Sequence, residues 1–238
     1  MIKKSLYSVT LLLLPGIIYA KDPIPDKWQN EAELGLVMTR GNTDTQNINA
    51  KATVINETDN WKHTGKLEVL NTSDEDTTTA ERYFVSGKTA HKIDEKTYEF
   101  GLLTYEADRF SGYEYRATGS IGYGFTYIKT NVQSLDLEIG AGIRQSKVEE
   151  TGDTEGEGLL RGAGIFNWKV NDHATFGEEL TVEAGEDSTI TKSITSLKSQ
   201  IAGNLATKIT YTIKKSTNVP VTAKETDMEL AVNLVFDF

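Results

Sequence analysis

The chain ends with the segment Met228-Glu-Leu-Ala-Val-Asn-Leu-Val-Phe-Asp-Phe238, in which every second residue is apolar. Glu229, Asn233 and Asp237 lie between the apolar positions. A period of two is that of a β-strand with one apolar and one polar face. A long strand of this kind that finishes on an aromatic residue is typical of a barrel in the bacterial outer membrane. We therefore predict an all-β fold, an antiparallel transmembrane β-barrel closed by this strand.

The same alternation recurs along the chain from Trp28 onward. It is clearest over 113–127, where aromatic and aliphatic residues at odd positions alternate with Arg, Thr and Ser at even ones. Charged residues directly beside strongly apolar ones at this spacing exclude an amphipathic helix. Most segments reach the roughly nine to eleven residues with which a tilted strand crosses a bilayer. About twelve strands are predicted, at 28–40, 45–57, 61–71, 82–93, 97–107, 113–127, 134–146, 159–170, 174–185, 190–204, 208–218 and 227–238.

The connections and the aromatic residues support a membrane barrel. Short turns at 58–60, 94–96 and 171–173 largely alternate with longer polar connections at 71–81, 147–158 and 219–226. In such barrels the periplasmic turns are short and the extracellular loops longer, so both termini are expected in the periplasm. Two aromatic girdles are predicted at the membrane interfaces, whereas a soluble β-sandwich would bury its aromatic residues in mid-strand. The periplasmic girdle comprises Trp28, Trp61, Tyr98, Tyr127, Trp168, Phe176 and Phe238, and the other Tyr83, Tyr113 and Tyr115.

The N-terminal segment has the features of a secretory signal peptide. Lys3 and Lys4 precede an apolar stretch, and Ala20 offers a small residue for cleavage. We predict a signal peptide over 1–20, cleaved after Ala20, a short periplasmic lead-in over 21–27 and the barrel over 28–238. The sequence contains no cysteine, which excludes a lipoprotein anchor and disulfide bonds. The formal net charge of −10 makes nucleic acid an unsuitable partner.

A distinctive motif, Tyr-x-x-Asp-x-Phe-x-Gly-Tyr-x-Tyr-Arg, covers residues 105–116. Shorter supporting pieces lie at 33–35, 41–43, 82–88 and 137–144. On these residues the chain resembles the YdiY-like family of salt-induced outer membrane proteins over nearly its whole mature length. The resemblance implies an outer-membrane barrel of unsettled function, and it supplies no catalytic residue.

The polar face of the predicted strands is rich in charged residues. Nine acidic residues are expected inside the barrel, namely Glu33, Glu68, Glu99, Glu114, Asp136, Glu138, Glu179, Glu183 and Glu229. Six basic residues face them, namely Lys51, Lys66, Lys88, Arg116, Arg144 and Arg161. They predict either a paired, closed interior or a narrow passive channel with a weak preference for cations. The residues predicted to line the lumen are Glu99, Glu114, Arg116, Glu138, Arg144 and Arg161.

The alternative function is a lipid-modifying enzyme, which needs a nucleophile and a base close together near the outer leaflet. His63, His91 and His173 are the only histidines, and all three map to the periplasmic end. The acidic run over 149–157 lacks the ligand spacing of an EF-hand. We therefore expect a non-enzymatic envelope protein with no cofactor and no metal. Its expected partners are outer-membrane lipids, lipopolysaccharide and, through the C-terminal strand, the barrel-assembly machinery.

Overall fold

The computed structural model describes residues 28–40, 45–74, 77–109, 111–220 and 223–238. The predicted signal peptide and lead-in lie outside these residues and stay predictions. Twelve strands form one closed antiparallel barrel in which each strand pairs with its neighbours in the chain. The predicted fold class is confirmed. The strands are β1 Trp28–Arg40, β2 Thr45–Glu57, β3 Trp61–Asp74, β4 Thr77–Lys92, β5 Thr97–Asp108, β6 Tyr113–Lys129, β7 Gln133–Val148, β8 Thr154–Asn171, β9 Ala174–Gly185, β10 Thr189–Ala202, β11 Leu205–Ser216 and β12 Thr226–Asp237.

The strands of the middle of the chain are longer than the alternation predicted. β3 continues to Asp74, and β4 already begins at Thr77. Likewise β7 continues to Val148, and β8 already begins at Thr154. Most of the predicted long loops at 71–81 and 147–158 is therefore strand, because polar residues continue the ladder beyond the apolar band. The acidic run over 149–157 is divided between a short connection and the start of β8.

We call the end of the barrel where β1 begins and β12 ends the turn end. The connections at 58–60, 93–96, 130–132, 172–173 and 203–204 lie there. The opposite end is called the loop end, and its longest connection joins β11 to β12 over 217–225. The twelve strands thus form the wall of the barrel, and the connections form its two rims. No helix among the described residues is long and apolar enough to cross a membrane.

The barrel closes by pairing of the first and last strands. Their register runs from Glu31 opposite Asp237 to Arg40 opposite Met228. Beyond the ladder, the backbone N–H groups of Asn30 and Phe238 each donate to the other residue's carbonyl, at 3.2 and 3.0 Å. This closure removes the two open edges of the sheet. It is stabilising because an unpaired backbone N–H or C=O group in hydrocarbon costs several kcal/mol.

Apolar side chains face outward and polar ones inward, as in a membrane barrel. Ile121, Ile139 and Ile143 are 73%, 72% and 72% exposed, whereas Arg144 and Asn233 are 2% and 1% exposed. The tryptophans Trp28, Trp61 and Trp168 lie on the outer surface near the turn end, as do Tyr127 and Phe238. The outer surface is therefore suited to contact with lipid chains, and the interior is polar.

Gly35 permits the close approach of β1 to β12. A Cβ placed on Gly35 would overlap the Asn233 side-chain amide and lie 2.6 Å from the Val232 carbonyl oxygen. Asn233 needs this space because its amide donates to Glu33 at 2.5 Å. Glycine is therefore required at the seam for steric reasons.

We expect Gly35→Ala to weaken the seam, because the added methyl must displace the Asn233 amide or the β12 backbone. Overpacking of this kind costs about 1–3 kcal/mol. The measurement is the free energy of unfolding in denaturant after refolding into lipid vesicles. Gly65→Ala is the matched control, since no atom beyond its two chain neighbours lies within 4 Å of its added Cβ. Equal stability of the two variants would contradict the steric role of Gly35.

Ile139 lies in the middle of β7 on the outer face. We expect Ile139→Arg to lower the free energy of unfolding in vesicles by about 2–4 kcal/mol, the penalty for arginine at the bilayer midplane. Gln145→Arg, on the same face but near the loop end, should cost much less. The assignment of the outer face fails if the two substitutions cost the same.

Candidate functional site

Four of the six residues predicted to line the lumen have buried, inward-facing side chains. Arg116, Glu138, Arg144 and Arg161 are 9%, 5%, 2% and 5% exposed. They come from β6, β7 and β8, three consecutive strands of the barrel. Glu99 and Glu114 lie on the outer surface instead, and that part of the prediction is wrong.

Glu99 faces outward because β5 directs its aromatic residues to the interior. Tyr98 and Phe100 lie against Gly124 and Gly122 of the paired strand β6, where only glycine leaves room for the rings. Tyr98 therefore does not belong to the outer girdle in which it was predicted. The Glu99 carboxylate lies 3.1 Å from His91 Nδ1 on the outer surface.

Glu114 faces outward because of an irregularity at the start of β6. Tyr113 pairs with Val148 and Tyr115 with Lys147, so Glu114 is an extra residue with no partner in the ladder. Its carboxylate lies 2.5 Å from Lys147 Nζ on the outer face. A β-bulge of this kind reverses the alternation, and it turns Tyr113 inward, away from its predicted girdle.

Glu138 is the acceptor of a buried charge cluster. Its side chain has no exposed surface, and it accepts from Tyr98 Oη at 2.7 Å and from Arg161 Nη1 at 2.8 Å. Lys88 Nζ also donates to it. The rings of Phe100 and Tyr98 complete the site, with Lys88 Nζ 4.8 Å from the Phe100 centroid. A carboxylate so enclosed is stable only because several donors surround it.

Arg144 joins β7 to β8, β9 and the connection that follows β9. It donates to Glu157 at 2.8 Å, to Ser188 Oγ at 2.9 Å and to Glu183 at 3.1 Å. Glu157 also accepts from the backbone N–H groups of Asp187 and Ser188, at 2.9 and 3.1 Å. This cluster fixes one side of the loop end.

Other ion pairs cross the interior between opposite walls. Lys66 on β3 lies 3.6 Å from Glu179 on β9, and Lys214 on β11 lies 2.5 Å from Glu106 on β5. Each pair joins strands six positions apart in a barrel of twelve. The interior is therefore narrow enough for two side chains to meet across it. Lys214 had not been placed inside from the sequence, although Ile209, Tyr211 and Ile213 form an apolar outer face on β11 and leave Lys214 on the inner one.

The connection between β11 and β12 reaches across the loop end. Tyr113 Oη donates to the Asn218 carbonyl at 3.4 Å, and Pro220 packs against Gly112. The Asn218 amide also donates to the Asp187 carbonyl. Since Gly112 and Pro220 belong to connections on opposite sides of the barrel, this segment spans the opening.

A cavity of about 1070 Å³ lies inside the barrel. At the turn end it is bounded by Asp94 and Lys96, and near the loop end by Arg116 and Lys214. The backbone N–H groups of Lys96 and Thr97 donate to the Asp94 carboxylate, both at 2.8 Å, and lower its pKa. The cavity thus extends along most of the barrel.

The lining of the cavity has no excess of acidic residues. It contains eleven bases, namely Lys62, Lys66, Lys88, Lys92, Lys96, Arg116, Lys129, Arg144, Arg161, Lys192 and Lys214. It contains ten acids, namely Glu57, Asp59, Glu68, Asp94, Glu95, Glu106, Asp136, Glu138, Glu179 and Glu183. The count from the sequence differs because Glu99 and Glu114 face outward, and because it omitted six of the lining bases and five of the lining acids.

Two of the three histidines lie on the outer surface near the turn end. His63 Nδ1 lies 3.1 Å from Thr89 Oγ1, and the Trp61 ring stacks on the His63 ring at 5.9 Å. His91 lies beside them, 4.6 Å from Trp61 between ring centroids. In the part of the chain that the structure describes, no three His, Asp or Glu side chains form a metal-binding group.

We expect Glu138→Ala to lower the free energy of unfolding by about 3–5 kcal/mol, because Lys88 and Arg161 would stay buried without their shared anion. Glu99→Ala is the control on the outer surface and should cost about 0–1 kcal/mol, as exposed pairs do. Both values come from denaturant unfolding in vesicles. Comparable losses in the two variants would contradict the inward and outward assignments.

The fold is similar to that of solved outer membrane porins and channels. The NanC porin has a TM-score of 0.59 at 12% identity, over 86% of this chain and 98% of that one. The COG4313 outer membrane channel from Pseudomonas putida F1 has a TM-score of 0.58 at 10% identity, over 95% and 100%. The KdgM porin in complex with disordered oligogalacturonate has a TM-score of 0.51 at 10% identity, over 87% and 99%. At such identities the likeness shows the fold alone.

Sequence comparison supplies the family. The uncharacterized protein YdiY of Escherichia coli (strain K12) is 28% identical over 218 residues, which cover 90% of this chain and 85% of that protein. Residues 32–238 match the model of a family described as a protein of unknown function, DUF481. The match covers the whole barrel apart from the first residues of β1. The YdiY-like resemblance is thereby confirmed, and the chain belongs to the DUF481 family.

Proposed function

We propose that the protein is a narrow passive channel for small hydrophilic solutes across the outer membrane. The observation that carries the proposal is the cavity of about 1070 Å³, which extends from Asp94 and Lys96 at the turn end to Arg116 and Lys214 near the loop end. A charged and hydrophilic lining over that length suits a solute that keeps its water or exchanges it for polar groups. The turn end is taken as periplasmic, as the sequence predicted.

The similar solved structures also support a transport role. Each of the three is named as a porin or channel, and each is covered almost completely by the likeness. A barrel of about twelve strands leaves at most a narrow path, well below the width of a general porin. Non-catalytic passage therefore fits the architecture better than lipid modification does.

The interior pairs set the width of the path. Lys66 and Glu179 meet across the barrel at 3.6 Å, roughly midway along their strands, so a solute must pass beside them or displace them. Because the lining is nearly balanced in charge, the proposal includes no preference for cations. Selectivity must then come from individual charges that have no partner.

A closed structural barrel is the second candidate. The crossing pairs and the connection over the loop end favour it, because the pairs narrow the interior and the connection spans one opening. The two candidates differ in one measurable property, the passage of ions.

The test is single-channel conductance of the refolded protein in planar bilayers. The unmodified protein should conduct, and Lys66→Ala/Glu179→Ala should raise the conductance roughly twofold or more, because both partners of a crossing pair are removed. The matched control, Glu114→Ala/Lys147→Ala, removes one acid and one base from the outer face and should leave the conductance unchanged.

Absence of conductance in the unmodified protein and in both double variants would overturn the channel proposal and favour the structural barrel. An equal rise in the outer-face control would show that conductance reports a damaged wall instead of a widened path. Heat-modifiable electrophoretic mobility verifies that each variant is folded.

A further inference from the structure

Basic side chains collect in the part of the cavity nearest the loop end. Arg116 is the fourth residue of β6, Lys192 the fourth of β10 and Lys214 the third from the end of β11, and all three strands have those ends at the loop end. With Arg144 and Arg161 they make five bases, and the acids Glu68, Glu106, Glu138 and Glu183 line the same part of the cavity. The charges there are nearly balanced in number, so what distinguishes the bases is how closely each is paired.

Three of these five bases are neutralised by close carboxylates. Lys214 lies 2.5 Å from Glu106, and Arg144 and Arg161 donate to glutamates at 2.8 Å. Arg116 and Lys192 differ, because neither makes a hydrogen bond or an ion pair with any residue in the described part of the chain. Arg116 is buried and Lys192 is half-buried, and the carboxylates nearby, Glu106 for Arg116 and Glu68 and Glu179 for Lys192, interact with them only from beyond 4 Å. Cations inside a barrel ordinarily have an anion in contact, so two without one are a specific feature of this wall.

Aromatic rings hold both cations in place while leaving their donors available. The Arg116 guanidinium lies 4.5 Å from the centroid of the Tyr113 ring, and the Arg116 residue is only 9% exposed. Lys192 Nζ lies 5.3 Å from the centroid of the Phe84 ring. Stacking on a ring face orients a guanidinium or ammonium without using its N–H groups.

The two cations end on the same side of the cavity. Lys192 on β10 reaches Phe84 on β4, which is the opposite wall, and β4 is two strands from β6, which carries Arg116. Between them, Ser86, Thr104 and Thr118 lie directly opposite one another on β4, β5 and β6, and all three line the cavity. This wall offers two cations and a row of hydroxyl donors.

We propose that this wall binds the oxyanion of a small solute, a carboxylate or a phosphate. The planar fork of Arg116 is suited to two oxygens of one oxyanion, and Lys192 supplies a second positive charge. The hydroxyl row can donate to the same group or accept from hydroxyls of the solute. The proposal deepens the channel function, on which it rests, by naming anionic solutes as the class that passes.

Binding is measured by isothermal titration of the refolded, full-length barrel with glucuronate, inorganic phosphate and glucose at low ionic strength. At least one of the two anions should bind roughly tenfold or more tightly than glucose, and added salt should weaken it, as expected for a charge interaction. Arg116→Gln/Lys192→Gln should reduce that affinity roughly tenfold. The control Lys147→Gln/Lys215→Gln removes two charges from the outer face and should bind as the unmodified protein does.

The same proteins are compared for reversal potential in a salt gradient. The unmodified channel should prefer anions, and the Arg116→Gln/Lys192→Gln variant should lose that preference. If the double variant does not fold, Arg116→Lys and Lys192→Gln are measured singly, because the first keeps the charge and loses only the planar fork.

The outcomes separate the two proposals. Anion binding without conductance would leave the site in place and overturn the channel. Conductance with no anion bound more tightly than glucose, or with a double variant that binds like the unmodified protein, would overturn the site and leave the channel.

Discussion

The pairing of every backbone N–H and C=O group within hydrocarbon is the constraint on which the rest of this structure depends. A sheet satisfies it only by closing on itself, and here β1 and β12 provide the closure. Closure requires two long strands in exact register, with Gly35 giving the Asn233 amide its space. Once the ring is closed, successive side chains of every strand point alternately to the lipid and to the interior.

That division creates the electrostatic problem of the interior. More than twenty charged side chains line one cavity, and each must be paired or placed where water reaches it. The structure uses clusters that join several strands, such as those around Glu138 and Arg144, and pairs that cross from wall to wall. The same contacts that stabilise the barrel therefore also set the width and the sign of any path through it.

Much of the fold could be predicted from the sequence, because alternation is a local property. The bounds of β1, β2 and β9 agree with those predicted, and the twelve-stranded topology follows from turns and strand lengths. The lumen could be predicted only in part. Arg116, Glu138, Arg144 and Arg161 face inward, but Glu99 and Glu114 do not, since parity fails at a bulge and in a strand whose aromatic rings face inward.

Those two errors have different origins. The pairing of Tyr98 and Phe100 with Gly124 and Gly122 left a signal, since glycines at alternate positions of a neighbouring strand make room for inward rings. The bulge at Glu114 left none in a single sequence. Contacts between opposite walls, such as Lys66 with Glu179, depend on side-chain reach across the closed ring, which no local pattern contains.

The segment that spans the loop end has a mechanical consequence. A thin-walled tube deforms most easily by becoming elliptical, with opposite edges of its rim moving together or apart. The contacts of Asn218 and Pro220 with Tyr113 and Gly112 join two such opposite edges, so they oppose a change in the distance between them. This connection therefore resists flattening of the rim, and the Lys214–Glu106 pair, which joins the same two walls nearby, acts in the same direction.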